Sequence, residues 1–240
     1  MNIIVIIPAR YGSTRFPGKP LAEINGMTMI QRVYNQCKMA TRIKGVVVAT
    51  DDKRILKHVQ SFGGHAVMTN HSLPSGTDRC AAALELLSQP IDAVINVQGD
   101  EPFIHPEQID EIAALLWEED VLIATLIKES ADPLLFSNPN CVKAVVDANK
   151  KELYFSRSAI PYVRDDQNRL FYRHIGIYGY QAEILKQLVT LPPTPLELAE
   201  KLEQLRWLEN GYSIQTATTR FESHGIDTPE DLDLIIAAKK

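Results

Sequence analysis

Short runs of β-branched residues alternate with longer helical patterns in the first half of the sequence, and this alternation restricts the fold more than any other feature. Apolar runs at 2–7, 45–50 and 92–96 have the composition of strands covered on both faces, and a shorter run at 65–69 follows the Gly63-Gly64 turn. Between these predicted strands, apolar residues recur at helical spacing over 27–40, 52–62 and 77–87. The pattern predicts an α/β protein with a mostly parallel, Rossmann-like sheet flanked by helices.

The pattern changes beyond residue 120, where strands follow one another without long helical stretches. The predicted strands lie at 121–126, 142–146, 152–155 and 174–180, with a turn at 147–151 and a polar loop at 164–168. Consecutive strands joined by turns pair antiparallel. We therefore expect a smaller antiparallel layer over about 121–180, which binds substrate or dimerises. Because no linker or repeat interrupts the chain, residues 1–240 are predicted to form a single domain.

Two helix starts are marked near the carboxyl terminus. Residues 194–197 (TPLE) combine an N-cap, a proline at the first helical position and a capping-box glutamate. The predicted helix ends at Asn210-Gly211. Its apolar face consists of Leu198, Leu202, Leu205 and Leu208. Residues 228–231 (TPED) begin a final helix in the same way.

Charge and cysteine content exclude several classes of protein. The formal net charge of −5 argues against nucleic acid as a partner, because binding to phosphate backbones needs a basic surface. The apolar stretch at the amino terminus is too short for a signal peptide, and no stretch has the length of a membrane span. The three cysteines are widely separated and form no metal-ligand pattern. A cytoplasmic protein without a membrane partner is expected.

The loop that follows the first strand concentrates positive charge. Residues 8–20 contain Arg10, Arg15 and Lys19 together with two glycines and two hydroxyl side chains. Such a loop suits a polyanion, because backbone N–H groups and fixed cations converge beyond the carboxyl end of a strand. It lacks the GxGxxG pattern of dinucleotide-binding proteins and the GxxxxGK[ST] pattern of a P-loop. A nucleotide site of another type is predicted.

The motifs of the chain resemble those of a known family. The loop PARYGSTRFPGKPL (8–21) is followed in order by VATDD (48–52), SGTDR (75–79), NVQGDEP (96–102), LYFSRSAIP (153–161), HIGIYGY (174–180), LEQLRWLE (202–209) and GIDTPEDL (225–232). Together they resemble the sugar nucleotidyltransferases, in the form found in cytidylyltransferases for 3-deoxy-manno-octulosonate (Kdo). This resemblance implies CMP transfer from CTP to the anomeric hydroxyl of Kdo with Mg²⁺, release of pyrophosphate, a homodimer, and a role in lipopolysaccharide synthesis.

The resemblance also implies roles for individual residues. Those expected to bind CTP are Pro8, Ala9, Arg10, Ser13, Arg15, Lys19, Ser75 and Gly76. Lys19, Arg10 and Asp100 are the implied catalytic residues, and Asp100 and Asp227 the implied ligands of Mg²⁺, which prefers hard oxygen atoms. Those expected around the sugar acid are Gln98, Arg157, His174, Tyr178, Glu203 and Gln204. Arg157 suits a carboxylate because its planar guanidinium binds in bidentate fashion.

Several of these residues also have a purely structural interpretation. Ser75-Gly76 fits the beginning of a helix, and Asp227 fits a carboxylate favoured by a helix macrodipole. A histidine in a strand, such as His174, is often a core residue with a satisfied hydrogen bond. Glu203 and Gln204 lie off the apolar face of their predicted helix, which suits a cleft wall and solvent equally.

Alternative functions stay open on sequence grounds. The sugar could be 8-amino-Kdo or sialic acid, or a neutral sugar in a related nucleotidyltransferase. A binding protein that has lost turnover is a different class, and the presence of Lys19, Asp100 and Asp227 argues against it. A nicotinamide-dependent dehydrogenase would need the glycine pattern that the first loop lacks.

Overall fold

The computed structural model describes residues 1–12, 15–164, 170–222 and 225–238. At its centre is a nine-stranded sheet, and a two-stranded hairpin follows the first loop. The strands are β1 (Ile3–Ala9), β2 (Glu23–Ile24), β3 (Met27–Thr28), β4 (Gly45–Thr50), β5 (Ala66–Met68), β6 (Ala93–Asn96), β7 (Ile123–Ser130), β8 (Lys143–Val146), β9 (Glu152–Ser156), β10 (Phe171–Gln181) and β11 (Ile214–Thr218).

Four parallel strands form the core of the sheet in the order β6-β1-β4-β5. They lie close to the predicted positions, so the parallel α/β prediction is confirmed. Ile3 to Ile7 are all buried, since β1 has strands on both edges and helices on both faces. Burial on both faces requires an unbroken apolar run, which is the signal seen in the sequence.

Strand β10 joins this core to the rest of the sheet. It pairs antiparallel with β6 on one side and with β7 on the other, and β11 pairs parallel with β7. Strand β8 pairs antiparallel with β10 and with β9. The predicted antiparallel strands are therefore confirmed, and they continue the parallel core within one sheet. Residues 165–168 of the predicted polar loop lie outside the described residues.

Helices cover both faces of the sheet. They are α1 (Met29–Lys38), α2 (Lys53–Ser61), α3 (Gly76–Glu85), α4 (Pro106–Leu116), α5 (Pro133–Ser137), α6 (Ala182–Leu188), α7 (Pro195–Glu200), α8 (Gln204–Glu209) and α9 (Pro229–Ala238). Among the described residues, none of these helices combines the length and the apolar character needed to cross a membrane.

The single helix predicted between residues 194 and 210 is wrong. Two short helices, α7 and α8, occupy this segment because Lys201 adopts a left-handed conformation with φ of 54° and ends α7. The break changes the helical phase, so Leu198 is 54% exposed whereas Gln204 is only 6% exposed. The capping box at Thr194 and the burial of Leu202 and Leu205 follow the prediction.

The order of the strands creates a crevice. The chain passes from β1 to β4 on one side, whereas β6 lies on the other side of β1. The carboxyl ends of β1 and β6 therefore flank a switch in strand order, which is where open α/β sheets bind ligands.

Candidate active site

A cleft of about 300 Å³ lies at the carboxyl ends of β1 and β6. Its lining residues are Pro8, Ala9, Arg10, Arg15, Lys19, Pro20, Leu73, Pro74, Ser75, Gly76, Arg79, Gln98, Gly99, Asp100 and Asp227. The cleft thus gathers all the predicted nucleotide and metal residues except Ser13, together with Gln98. Ser13 lies outside the described residues.

Lys19 is at the centre of the charges in this cleft. Its Nζ atom lies 2.6 Å from Oδ2 of Asp100 and 3.4 Å from Oδ1 of Asp227. A guanidinium nitrogen of Arg15 lies 3.1 Å from the same oxygen of Asp227. The Lys19 side chain is only 13% exposed, so solvent screens its charge less than that of a surface lysine. Two cations and two carboxylates are therefore close enough to exchange partners when a polyanion enters.

The backbone holds the two aspartates beside each other. The N–H of Ile226 donates to the carbonyl oxygen of Asp100 at 2.9 Å, and Ile226 is fully buried. The N–H groups of Asp227 and Thr228 donate to Oδ2 of Asp231 in the first turn of α9. Asp227 accordingly precedes a helix, as its structural interpretation requires, while its own carboxylate faces Lys19.

The first loop closes on itself before it reaches Lys19. The N–H of Gly18 donates to the carbonyl oxygen of Tyr11 at 2.9 Å, and Gly18 has φ of 74°, a conformation that favours glycine. A short 3₁₀ helix, Lys19–Leu21, begins directly after it. This turn sends Lys19 back toward the cleft.

Ser75 and Gly76 form the opposite wall and begin α3. The Ser75 hydroxyl accepts the N–H of Asp78, so it caps the helix as its structural interpretation predicted. A Cβ atom on Gly76 would lie 3.3 Å from Cγ of Pro8. The helix start and β1 are thus in close contact, and α3 directs its amino terminus, which favours anions, at the cleft.

Five lining residues were not predicted as site residues, namely Pro20, Leu73, Pro74, Arg79 and Gly99, and the last two have specific packing roles. Gly99 passes so close to β1 that a Cβ atom there would lie 2.9 Å from the carbonyl oxygen of Pro8. Arg79 is buried, pairs with Asp51 at 3.1 Å and donates to Thr69 Oγ1 at 2.6 Å. Both belong to quoted motifs, QGD and SGTDR, but only the packing of the strands reveals why a glycine and a buried arginine are needed there.

Of the predicted sugar-binding residues, Gln98 and Glu203 lie at or beside the cleft. Gln98 lines it, and its side-chain amide nitrogen lies 3.4 Å from Oδ1 of Asn96. Oε2 of Glu203 accepts a hydrogen bond of 2.7 Å from Thr77, one residue beyond Gly76. Burial raises the pKa of Glu203, although this hydrogen bond opposes the rise.

His174 and Tyr178 belong to an aromatic cluster under the antiparallel part of the sheet. The His174 ring lies 5.2 Å from Tyr178 and 5.0 Å from Phe155, and its Nε2 atom lies 3.0 Å from Oγ1 of Thr125. Burial lowers the pKa of His174 to about 3, so the imidazole is neutral at physiological pH. Any sugar contact of His174 is therefore a neutral hydrogen bond.

Arg157 is engaged elsewhere. Its Nε atom donates to the carbonyl oxygen of Glu200 at 2.7 Å, and its terminal nitrogens donate to the carbonyl oxygens of Pro139 and Lys201. Within the described ranges, Arg157 is not among the residues that line the cleft. The structure does not bring it together with the charged residues around Lys19.

A second cavity of about 520 Å³ lies beside β10. Glu101, Arg173 and His174 line it together with Asn140 and other residues. Burial, and to a lesser degree the neighbouring carboxylate of Asp100, raises the pKa of Glu101 to about 7. Arg173 is paired with Glu222. Glu101 thus lines the second cavity, whereas Asp100 lines the cleft around Lys19.

The carboxylates of Asp100 and Asp227 suit a divalent cation that takes most of its ligands from a bound phosphate group. No group of three or more histidine, cysteine or acidic side chains that could hold a metal lies in the described part of the chain. Asp100 and Asp227 nevertheless aim one oxygen each at the same cation, the Nζ atom of Lys19. One or two carboxylates completed by phosphate oxygens are the usual protein contribution to a Mg²⁺ site, so the residues fit this ion.

Comparison with known proteins shows which family the whole chain resembles. A family model described as cytidylyltransferase matches residues 4–215. A 3-deoxy-manno-octulosonate cytidylyltransferase of Cytophaga hutchinsonii is 55% identical, over 97% of this chain and 95% of the relative. The enzyme of the same name from Parabacteroides distasonis is 51% identical, over 99% and 98% of the two chains.

Two solved structures resemble the whole chain, one at substantial sequence identity and one in fold only. The structure of CMP:2-keto-3-deoxy-manno-octonic acid synthetase complexed with CTP has a TM-score of 0.94 and 38% identity, and covers 100% of this chain and 98% of that chain. A 4-diphosphocytidyl-2C-methyl-D-erythritol synthase from Anaerococcus prevotii has a TM-score of 0.65 at 15% identity, over 99% and 96% of the two chains, which shows a common fold alone.

The fold and the cleft together define a CTP-dependent nucleotidyltransferase. Within that class, the similarity to the relatives extends along nearly the whole chain. The chain belongs to the 3-deoxy-manno-octulosonate cytidylyltransferase family.

Proposed function

We propose that this chain transfers CMP from CTP to the anomeric hydroxyl of Kdo and releases pyrophosphate. The observation that carries the proposal is the position of Lys19 between Asp100 and Asp227 in a cleft of about 300 Å³. Displacement at the α-phosphate requires neutralisation of the leaving pyrophosphate, and a fixed cation beside metal-binding carboxylates provides it.

In this proposal the triphosphate lies along the first loop. Arg10, Arg15 and Lys19 neutralise its charge. The base lies between Pro8-Ala9 and Ser75-Gly76, where backbone groups from two elements meet at the cleft. Arg79 lies at the same wall, held in one orientation by Asp51.

We propose Asp100 and Asp227 as the residues that hold Mg²⁺. The bound ion would neutralise phosphate charge and favour deprotonation of the attacking hydroxyl. The chain's own residues orient the reaction: Asp100 is tied to Asp227 through the Ile226 N–H, and Lys19 lies between them. Binding both substrates in a fixed orientation supplies much of the rate enhancement in such reactions.

The sugar acid is proposed to bind on the side of the cleft formed by Gln98 and Glu203. Thr77 supports this because it connects Glu203 to the start of α3. Gln204 and Tyr178 form the neighbouring buried surface, and the half-buried His174 contacts Tyr178. The three carbonyl contacts of Arg157 mean that its guanidinium must leave them to bind the sugar carboxylate, so that role stays a prediction.

The setting of the reaction is part of the proposal. We propose a cytoplasmic homodimer that supplies an activated sugar for lipopolysaccharide synthesis, as the family resemblance implies. Leu153 and Tyr162, which are 60% and 88% exposed, are apolar side chains of this region that a second copy of the chain would cover in such a dimer. Equilibrium sedimentation tests the dimer directly.

Pyrophosphate release with CTP and Mg²⁺ tests the reaction. Kdo, 8-amino-Kdo and sialic acid are offered in parallel to the wild type and to Asp100→Asn. Asp233→Asn is the matched control, because Asp233 is an exposed aspartate on α9. The expected result is the highest kcat/KM with Kdo, loss in Asp100→Asn and normal activity in the control.

Each other outcome changes one part of the proposal. A higher kcat/KM with 8-amino-Kdo or sialic acid replaces the sugar while the reaction stands. Binding of CTP without release of pyrophosphate in the presence of any of the three sugars contradicts the proposed reaction.

A further inference from the structure

Helix α2 touches the first loop through one exposed arginine. The guanidinium carbon of Arg54 lies 3.4 Å from the centroid of the Tyr11 ring, within the range of a cation–π contact. Arg54 is on the first turn of α2, which follows β4, whereas Tyr11 is in the loop after β1. This contact joins two segments that are separated in sequence.

Asp52 holds the guanidinium in place for this contact. Arg54 Nε donates to Oδ1 of Asp52 at 2.9 Å, and a terminal nitrogen donates to Oδ2 at 2.7 Å. Oδ1 also accepts the backbone N–H of Arg54 at 2.8 Å, as the N-cap of α2. A bidentate pair fixes the plane of the guanidinium, which a lysine ammonium cannot imitate. The favourable interaction with Arg54 lowers the pKa of Asp52.

Tyr11 in turn packs against Gly18. A Cβ atom on Gly18 would lie 3.1 Å from both Cζ and Oη of Tyr11, and the Gly18 N–H already donates to the Tyr11 carbonyl. Gly18 directly precedes Lys19, whose ammonium group faces Asp100. Tyr11 also directly follows Arg10, which lines the cleft. The contact between the Tyr11 ring and Gly18 therefore brings the segment that carries Arg10 next to the segment that carries Lys19.

We infer that Arg54 is a positioning residue for CTP binding, which acts by stacking on Tyr11 and keeping Tyr11 against Gly18, the contact that aims Arg10 and Lys19 into the cleft. Among the described residues, Arg54 is not one of those that line the cleft. The inference rests on the proposed assignment of this loop to the triphosphate. It also explains the second aspartate of VATDD, which the proposed reaction does not use: Asp51 orients Arg79 and Asp52 orients Arg54.

A loop that loses this support must be ordered by the ligand, and the ordering weakens binding. Arg54→Ala should therefore raise the KM for CTP about five- to tenfold and leave kcat at saturating CTP within twofold of wild type. The KM for the sugar should not change. Because the Arg54 side chain is 59% exposed, the melting temperature should stay close to that of wild type.

Matched variants separate the stack from the charge. Lys57→Ala removes an exposed positive charge from the same helix, and its KM for CTP should equal that of wild type. Tyr11→Phe keeps the ring and should resemble wild type, whereas Tyr11→Leu should raise the KM as Arg54→Ala does. The double variant Arg54→Ala/Tyr11→Leu should be no worse than Tyr11→Leu alone, because both changes remove one contact.

CTP titrations at saturating sugar, with thermal melting of each variant, decide the matter. An unchanged KM for CTP in Arg54→Ala, or an equal increase in Lys57→Ala, overturns the inference. Multiplicative effects in the double variant overturn it as well. Lys19→Ala in the same assay tests the underlying assignment: if its activity is normal, the loop does not bind the triphosphate and the proposed function fails with it.

Discussion

The Nζ atom of Lys19 lies 2.6 Å from Oδ2 of Asp100. The ammonium group of the first loop therefore forms an ion pair with the carboxylate that is proposed to bind the metal. Lys19 offsets part of the negative charge of Asp100 and Asp227. In the proposed complex, the ammonium group would turn to the phosphates and the two carboxylates would hold the divalent ion. The Lys19 side chain would thereby offset negative charge on the carboxylates in one arrangement and on the phosphates in the other.

This arrangement predicts opposite effects of Lys19→Ala on two measurable quantities. Turnover should fall about 100-fold, as after removal of a single group that stabilises transition-state charge. Binding of Mg²⁺ without CTP should become tighter, because no ammonium group competes for the carboxylates. Pyrophosphate release and titration calorimetry measure the two effects, with Lys57→Ala as control. Turnover within threefold of wild type, or weaker Mg²⁺ binding, would contradict the prediction.

Gly99→Ala should weaken CTP binding and destabilise the fold. The added Cβ atom would lie 2.9 Å from the carbonyl oxygen of Pro8, so β1 and the segment after β6 must separate. Overpacking of this kind typically costs about 1–3 kcal/mol. Urea unfolding and CTP binding are the measurements. Gly45→Ala is the matched control, since no heavy atom lies within 4 Å of its added Cβ atom; equal effects of the two variants would show that close packing at Gly99 is unimportant.

Glu152 should make stability depend on pH. It is 6% exposed, and burial raises its pKa from 4.5 to about 9. Between these values the folded state keeps the proton that the unfolded chain releases, so the free energy of unfolding falls as pH rises. Glu152→Gln removes this dependence. Relative to wild type, its free energy of unfolding should rise by roughly 2 kcal/mol from pH 6 to pH 8.

Urea unfolding of wild type and Glu152→Gln at both pH values measures the difference. The exposed acid Glu119 provides the matched control, because Glu119→Gln makes the same chemical change at the surface and should keep the pH dependence of wild type. Parallel curves for wild type and Glu152→Gln would show that Glu152 is ionised in the folded protein.

His174→Phe should reduce kcat/KM for the sugar by a factor that does not depend on pH. The pKa of His174, lowered to about 3 by burial, keeps the imidazole neutral between pH 6 and pH 8. Loss of one neutral hydrogen bond corresponds to roughly a tenfold decrease. Steady-state kinetics at the two pH values provide the test. A decrease that is several times larger at pH 6 would mean that the protonated form binds the sugar carboxylate.

Local signals identified most elements of the fold. The strands of the parallel core were predictable because burial on both faces demands continuous apolar runs. The first turn of α7 was predictable because its capping residues are close together in sequence. The break at Lys201 was missed, since a left-handed conformation at a lysine leaves no mark in the composition. The exposure of Leu198 and the burial of Gln204 follow from that break.

The candidate site, like the fold, has features that the sequence reveals and features that only the tertiary structure reveals. The sequence alone determined the loop of cations after β1, the carboxylates of QGD and GID, and the family motifs, because each is a run of neighbouring residues. Only the tertiary structure decided that Lys19 meets Asp100 and Asp227, which are 81 and 208 positions away, and that Arg157 is held by backbone carbonyls. Contacts over such distances depend on the order of strands in the sheet, and that order is set by packing of the whole chain rather than by any local run of residues.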